Sequence, residues 1–151
     1  MKKIVSLLVL GCILITMAIL LTGCETKKSY TYDVETGDKI KITLKTTSGY
    51  NMTSDLPIEF SKDDDVISKG SFGKEELYDT YVEAIKDEDD AEIIEEKSNK
   101  TIEYVFYEYN NKEYNYIIKI KDSNTCFILG NKESKKSAQE IFNRISFDVE
   151  K

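Results

Sequence analysis

The stretch TIEYVFYEYNNKEYNYIIKIK, residues 101–121, decides the fold of this chain. Aromatic and β-branched residues dominate both halves, a composition typical of β-strands. The central Asn110-Asn111 pair tolerates the left-handed backbone that a tight hairpin turn requires. The sequence therefore predicts an antiparallel hairpin whose strands span residues 101–109 and 113–121.

Tyrosines crowd this hairpin, and their faces differ. Side chains alternate along a strand, so one face of the second strand carries no charge and consists of Tyr114, Tyr116, Ile118 and Ile120. We expect that face to pack under a helix. Tyr107 and Tyr109 of the first strand are the candidate partner-binding residues. They are either core residues beneath a second helix or part of an exposed aromatic patch.

Flanking segments extend the pattern in both directions. Alternating or short apolar runs predict further strands over residues 30–35, 39–45, 58–61, 66–68, 92–96 and 125–129. Residues 49–57 are predicted to form a loop. Residues 74–86 and 133–145 have helical spacing instead, the first with a stripe of Leu77, Tyr81 and Ile85 that Tyr78 and Val82 widen. This order predicts an α+β fold with a mostly antiparallel sheet and two amphipathic helices. One arrangement compatible with it is an α/β/α sandwich.

The order of these elements is similar to that of a known superfamily. Gly49-Tyr50 leads into a loop, residues 70–72 precede the first helix, and the chain closes with IFNRISF at 141–147. With the meander between them, these features resemble the PsbP-like superfamily over residues 39–147. That superfamily includes small secreted and lipid-anchored bacterial proteins besides extrinsic subunits of photosynthetic complexes. The resemblance implies an accessory or binding role and no particular functional residues.

The N-terminus has the pattern of a secretory signal peptide. Two lysines precede an apolar run over residues 4–21, which ends on Thr22-Gly23-Cys24. This ending resembles the lipobox of bacterial lipoproteins and implies cleavage between Gly23 and Cys24, with a diacylglycerol on the Cys24 thiol. Three alternatives are an uncleaved signal anchor, a cut at Gly11-Cys12, and an unmodified Cys24.

The domain limits and the location follow from this leader. Residues 1–23 are the predicted signal peptide, 24–29 the lipidated cysteine with a short tether, and 30–151 a single globular domain. Two acyl chains hold a protein stably on a bilayer, and the tether reaches no further than about 20 Å. Arg144 is the only arginine among 21 basic residues, a composition typical of a Gram-positive bacterium with an AT-rich genome. We expect a location on the cell membrane, facing the extracellular side or cell wall.

Composition excludes several classes of function. Without Lys2 and Lys3, 19 basic and 28 acidic residues leave a net charge of −9, which disfavours nucleic-acid binding. The chain has no histidine, and Cys126 is expected to be a buried thiol rather than a nucleophile or zinc ligand. The acidic runs 63–65 and 87–90 lack calcium-loop spacing and are expected to form solvated turns. We therefore predict no catalytic residue, no metal and no cofactor.

The expected function is that of a non-enzymatic accessory lipoprotein. It would reach the membrane through the anchor at Cys24 and bind an unknown protein or envelope partner. The alternative is a lipoprotein that binds a small molecule or a cell-wall fragment in a pocket near residues 49–57. An envelope hydrolase has the weakest support, because the chain contains no nucleophile motif and no metal ligand set.

Overall fold

The computed structural model describes residues 26–150. The strands of that part are β1 (Lys27–Asp33), β2 (Lys39–Lys45), β3 (Tyr50–Met52), β4 (Ile58–Lys62), β5 (Asp65–Lys74), β6 (Ala91–Ser98), β7 (Ile102–Tyr109), β8 (Glu113–Ile120), β9 (Thr125–Asn131) and β10 (Ile145–Glu150). Its helices are α1 (Glu76–Asp87) and α2 (Lys135–Phe142), and a 3-10 turn spans Thr47–Gly49.

The strands form two antiparallel sheets, and the predicted hairpin lies inside the larger one. The seven-stranded sheet has the order β3-β4-β5-β9-β8-β7-β6, and the three-stranded sheet has the order β1-β2-β10. In the hairpin Tyr109 pairs with Glu113, and Asn110 and Asn111 both adopt φ of 54°. The predicted α+β class with two amphipathic helices is confirmed.

The two faces of the seven-stranded sheet are covered differently. Between one face, the three-stranded sheet and α2 lies the main core, which includes Ile40, Ile42, Leu44, Phe60, Phe106, Phe127 and Ile141. On the other face α1 covers a second cluster of Tyr78, Ile85, Val105, Ile117 and Cys126. The layers are thus a helix, a sheet and a mixed layer, rather than helices alone on both faces, because the alternating apolar residues of β2 form a sheet that shares the core with α2.

The end of the chain departs from the helix predicted over residues 133–145. Ser134 caps α2 by accepting a hydrogen bond from the Ser137 N–H at 3.1 Å, and the helix ends at Phe142. Ile145–Glu150 then forms β10, which pairs with β2. Because β10 begins only two residues after α2 ends, its first apolar residue, Ile145, also fits the helical spacing. The helix predicted from that spacing therefore extends three residues too far.

β5 is longer than predicted. The sequence predicts a strand over residues 66–68 only, with 70–72 as the connection to the first helix, whereas β5 spans Asp65–Lys74. Gly70 belongs inside this strand because the ring of Phe127 lies directly over it, and an added Cβ would stand 2.1 Å from that ring. The glycine marks close packing rather than a turn.

Two further boundaries shift. β1 begins at Lys27, inside the segment 24–29 that was predicted to be a tether, and the Lys28 ammonium donates to the Asn51 side chain of β3 at 2.9 Å. β3 itself lies within the predicted loop 49–57. β1 therefore begins three residues after Cys24, inside the predicted tether.

The buried face of α1 occupies one side of the predicted stripe, the side with Tyr78 and Val82. Tyr78 and Ile85 are buried, whereas Leu77 and Tyr81 are 38% and 40% exposed. Helical spacing alone does not distinguish these neighbouring stripes, because both recur every three to four residues. Tyr78, and not Leu77, packs into the second cluster.

Candidate functional site

The residues predicted for processing and lipidation, Gly23 and Cys24, lie outside the described residues, so that assignment stays a prediction. The first described residue, Thr26, is fixed by the Thr46 N–H, which donates to its carbonyl at 2.9 Å. We call this end of the three-stranded sheet the N-terminal pole. Within residues 26–150, neither helix is long and apolar enough to span a membrane.

The candidate partner-binding residues Tyr107 and Tyr109 are both half-buried. Tyr107 packs against the second cluster, and burial is the main reason why its pKa is raised. The structure therefore places Tyr107 largely in the core and Tyr109 beside the hairpin turn. The large apolar side chains that are exposed in residues 26–150 lie elsewhere, at Leu56, Val66, Leu77 and Tyr81.

The opposite face of the hairpin packs under a helix, as predicted. Tyr116 is 2% exposed and its ring stacks between Phe106 and Phe142 of α2, with centroids 4.2 and 4.1 Å away. Burial raises the pKa of the Tyr116 phenol. This face is core, and its aromatic residues are not a binding surface.

The lone described thiol and the acidic runs also have structural positions. Cys126 is buried, as predicted, its thiol donates to the Lys74 carbonyl at 3.2 Å, and burial raises its pKa. Asp63 and Asp64 form the β4–β5 turn with φ of 50° and 71°. Residues 26–150 contain no group of three or more Asp, Glu, Cys or His side chains arranged to hold a metal ion.

The candidate functional site is a cleft at one end of β5, which we call the hairpin cleft. Its volume is about 240 Å³. The β1–β2 hairpin forms one wall, the exposed Leu56 forms another, and β5 forms the floor. The complete lining is Asp33, Val34, Glu35, Thr36, Leu56, Ser71, Phe72, Gly73 and Lys74.

The floor of the cleft is an open strand edge. β4 ends at Ile58, opposite Gly70, so β5 continues beyond its neighbour on that side. On the other side the Glu75 N–H donates to the Asn124 carbonyl at 2.8 Å. Backbone groups of an antiparallel strand alternate in direction from one residue to the next. Because Glu75 points toward β9, Gly73 does so as well, whereas the Phe72 N–H and C=O point away from β9 and toward the cleft. Neither group has a hydrogen-bond partner within residues 26–150.

Aromatic packing fixes the position of this edge. The Phe72 ring lies 5.3 Å from the ring of Tyr32 and 5.1 Å from that of Phe127, in tilted and edge-on geometries. The Tyr32 hydroxyl donates to the carbonyl of Thr53 at 3.2 Å, and burial, with Tyr30 and Asp55 nearby, raises its pKa to about 12. The side chain of Phe72 is thus held in the core while its backbone faces the cleft.

A hydrogen-bonded carboxylate holds the hairpin wall in place. Asp38 accepts from the Thr125 hydroxyl and the Asn124 N–H at 2.8 Å each, and from the Thr36 hydroxyl at 2.9 Å. Burial opposes ionisation of Asp38, but these three donors outweigh it and lower the pKa of the carboxyl. The turn between β1 and β2 is therefore tied to the turn between β8 and β9.

Charged side chains stand on the rim of the cleft. Asp33 forms an exposed ion pair with Lys39 at 3.3 Å. Glu35 on the hairpin and Lys74 at the end of β5 form no ion pair within the described part of the chain. The rim thus offers an anionic and a cationic group on two sides of an apolar floor.

The cleft lies far from the N-terminal pole. β1 has seven residues and connects Lys27 at that pole to Asp33 at the cleft. At about 3.3 Å per residue, this separation is about 20 Å. The cleft therefore opens at the other end of β1 from Thr26, the first described residue.

Two other grooves are less suited to recognition. One, between α1 and the β6–β7 strands, has about 320 Å³ and a polar lining, where Lys86 pairs with Glu96 at 3.4 Å. The other, of about 230 Å³, lies beside Val66 and Asn131 on the seven-stranded sheet. There the Asn131 amide is satisfied by Ser68 and Ser137 at 2.9 and 3.0 Å. The hairpin cleft combines an apolar floor with an open strand edge at Phe72.

Comparison with known proteins yields no match: no family model, curated protein or solved structure is similar to this chain. The resemblance to the PsbP-like superfamily and to lipoprotein signals therefore stays a prediction.

The sequence does not predict the hairpin cleft, because residues 70–72 at its floor are predicted to form the connection to the first helix. A signal was present, since residues 71–74 continue the strand without any turn residue other than Gly73. β5 extends beyond β4 because the chain turns at Leu56-Pro57, before β4 begins. The local sequence pattern does not predict where this turn lies relative to β5. Leu56, which lines the cleft, belongs to the loop predicted over residues 49–57.

Proposed function

We propose that this chain is a membrane-anchored extracytoplasmic lipoprotein without enzymatic activity, which binds a partner through the hairpin cleft. The anchor is the diacylglycerol on Cys24. The observation that carries the proposal is the cleft itself, an apolar pocket with an open strand edge at the other end of β1 from the N-terminal pole. An anchor at one end leaves this cleft directed away from the bilayer.

The size of the cleft favours a macromolecular partner over a small molecule. Ligand pockets usually enclose about 300–1,000 Å³, whereas this cleft has about 240 Å³. That volume suits one large side chain of a partner, and interfaces concentrate their binding energy in such anchor residues. The exposed Leu56 on its wall adds apolar area to the contact.

Lipidation is tested first, in growing cells. Labelling with a fatty-acid analogue should mark the native chain, while Cys24→Ala should lose the label and accumulate as precursor or leave the membrane. Full labelling of Cys24→Ala would contradict the anchor.

Partner binding is tested on the anchored chain in its own cells. A photoreactive amino acid at position 56 should crosslink to one defined partner, because Leu56 lines the cleft and is 57% exposed. The matched control is position 66, where Val66 is similarly exposed, at 49%, on another part of β5. Equal crosslinking from both positions, or crosslinking from 66 alone, would refute the cleft as the binding site.

A further inference from the structure

We infer that the partner enters the hairpin cleft as an extended peptide segment, which adds a strand to the open edge of β5, places an apolar side chain in the cleft and carries a basic residue beside it. This inference rests on the proposed function and specifies the chemistry of the partner. It concerns how the cleft recognises its partner, not whether the chain is anchored.

The backbone of β5 supplies the first argument. The N–H and C=O of Phe72 both face the cleft without a partner in residues 26–150, so they present one donor and one acceptor to an extended chain. About four residues, Ser71 to Lys74, extend beyond the end of β4, which is enough for a short added strand. Peptides that bind in this way gain affinity from main-chain hydrogen bonds.

The two outer edges of the same sheet are protected, unlike this one. β6 carries an irregularity between Ile93 and Glu95, and acidic residues are frequent along it. β3 is only three residues long, and the Lys28 ammonium donates to the Met52 carbonyl at 2.9 Å. Bulges, charges and short length are the features that keep edge strands from pairing with other chains. The edge at Phe72 has an apolar lining instead.

The register of an added strand determines which side chain enters the cleft. Residues opposite each other on neighbouring strands have side chains on the same face. The peptide residue opposite Phe72 would therefore point to the face where Val34 and Leu56 wall the pocket. In antiparallel pairing its two neighbours would point to the other face, and the residue two positions before it would lie opposite Lys74. The residue two positions after it would leave the strand at the rim, because Ile58 of β4 already lies opposite Gly70.

The charges of the rim and of the chain select the flanking residues. Glu35 has no ion-pair partner within residues 26–150, and it stands on the hairpin wall beside the pocket. A lysine or arginine two positions after the apolar residue reaches the rim away from the like charge of Lys74. The net charge of −9 after removal of the leader also favours the approach of a basic segment.

The test uses the full chain in detergent micelles and three end-blocked synthetic peptides. Thr-Thr-Ile-Thr-Lys is the probe, Thr-Thr-Ile-Thr-Glu reverses its charge, and Thr-Thr-Pro-Thr-Lys lacks the central N–H. We expect the probe to slow hydrogen exchange of the Phe72 amide, the acidic peptide to bind about tenfold more weakly, and the proline peptide to leave that amide unprotected. Equal binding of all three peptides, or binding of none, would overturn the inference.

Matched variants locate the effect. Leu56→Lys should weaken binding of the probe about tenfold, because it places a cation in the apolar wall, whereas Val66→Lys should leave binding unchanged. Equal losses in both variants would overturn the inference. A dimer of the full chain that Leu56→Lys dissociates in sedimentation would assign the edge to a second copy and likewise overturn it.

The outcomes separate this inference from the proposed function. Crosslinking from position 56 in cells, without protection of the Phe72 amide by the probe, would leave partner binding intact and refute the added strand. Protection by the probe without any crosslink in cells would support the strand-pairing chemistry and refute the proposed function.

Discussion

At the scale of single residues, the shape of the cleft depends on side chains whose own contacts lie in the core or in the neighbouring turns. Phe72 has its ring in the core, between Tyr32 and Phe127, which frees its backbone to face the cleft. Gly70 permits this arrangement by leaving room for Phe127, and Asp38 fixes the opposite wall. Both contributions can be measured as changes in stability.

Replacing Gly70 by alanine should destabilise the fold. The new Cβ would stand 2.1 Å from the Phe127 ring, so the ring or the strand must move. Overpacking of this kind costs about 1–3 kcal/mol of unfolding free energy, measured in urea. The control is Ser71→Ala, an exposed neighbour in the same strand, for which we expect a change within about 0.5 kcal/mol. Equal values for the two variants would mean that Phe127 does not lie over Gly70.

Asp38 should make stability depend on pH in the acid range. Its pKa in the folded state lies below the ordinary value of 3.8, because the three donors bind the carboxylate. The stabilisation is complete above the unfolded-state pKa and is lost as the pH falls through the folded-state pKa. Asp38→Asn should therefore cost about 1 kcal/mol at pH 7, and less as the pH falls below about 4. Urea midpoints at several pH values measure this, and a constant difference would contradict the lowered pKa.

At the scale of elements, alternation predicted the strands that lie within the meander. The hairpin formed by β7 and β8 has a clear two-residue period and an Asn-Asn turn, and both features are local. β5 and β10 were missed or shortened because their extent depends on neighbours distant in the chain. β10 follows α2 after two residues, and β5 contains a glycine whose reason is the ring of Phe127.

The two faces of the hairpin should differ in their contribution to stability. Tyr116→Ala removes a ring stacked between Phe106 and Phe142, and should cost about 3–5 kcal/mol. Tyr109→Ala removes a half-buried ring near the turn, and should cost about 1 kcal/mol or less. Urea unfolding of both variants measures the difference. Similar losses would mean that the core face of the hairpin has been assigned wrongly.

At the scale of the whole molecule, the N-terminal pole and the hairpin cleft lie at the two ends of β1. β1 connects the N-terminal pole to the hairpin cleft, and the network around Asp38 joins that hairpin to the turn after β8. Sequence predicted the lipid attachment and the absence of catalytic residues, and both stay predictions. It did not predict the cleft, because the cleft arises where β4 ends and β5 continues, a difference in length that only the assembled sheet displays.

Hydrogen exchange of the full chain without any ligand reports directly on whether the edge of β5 at Phe72 is open. The Phe72 amide faces the cleft, whereas the neighbouring Gly73 amide faces β9 and pairs with Cys126. We predict that Phe72 exchanges faster than Gly73, by on the order of a hundredfold after correction for intrinsic rates. Equal, strong protection of both amides would show that the edge is already occupied and would contradict the account.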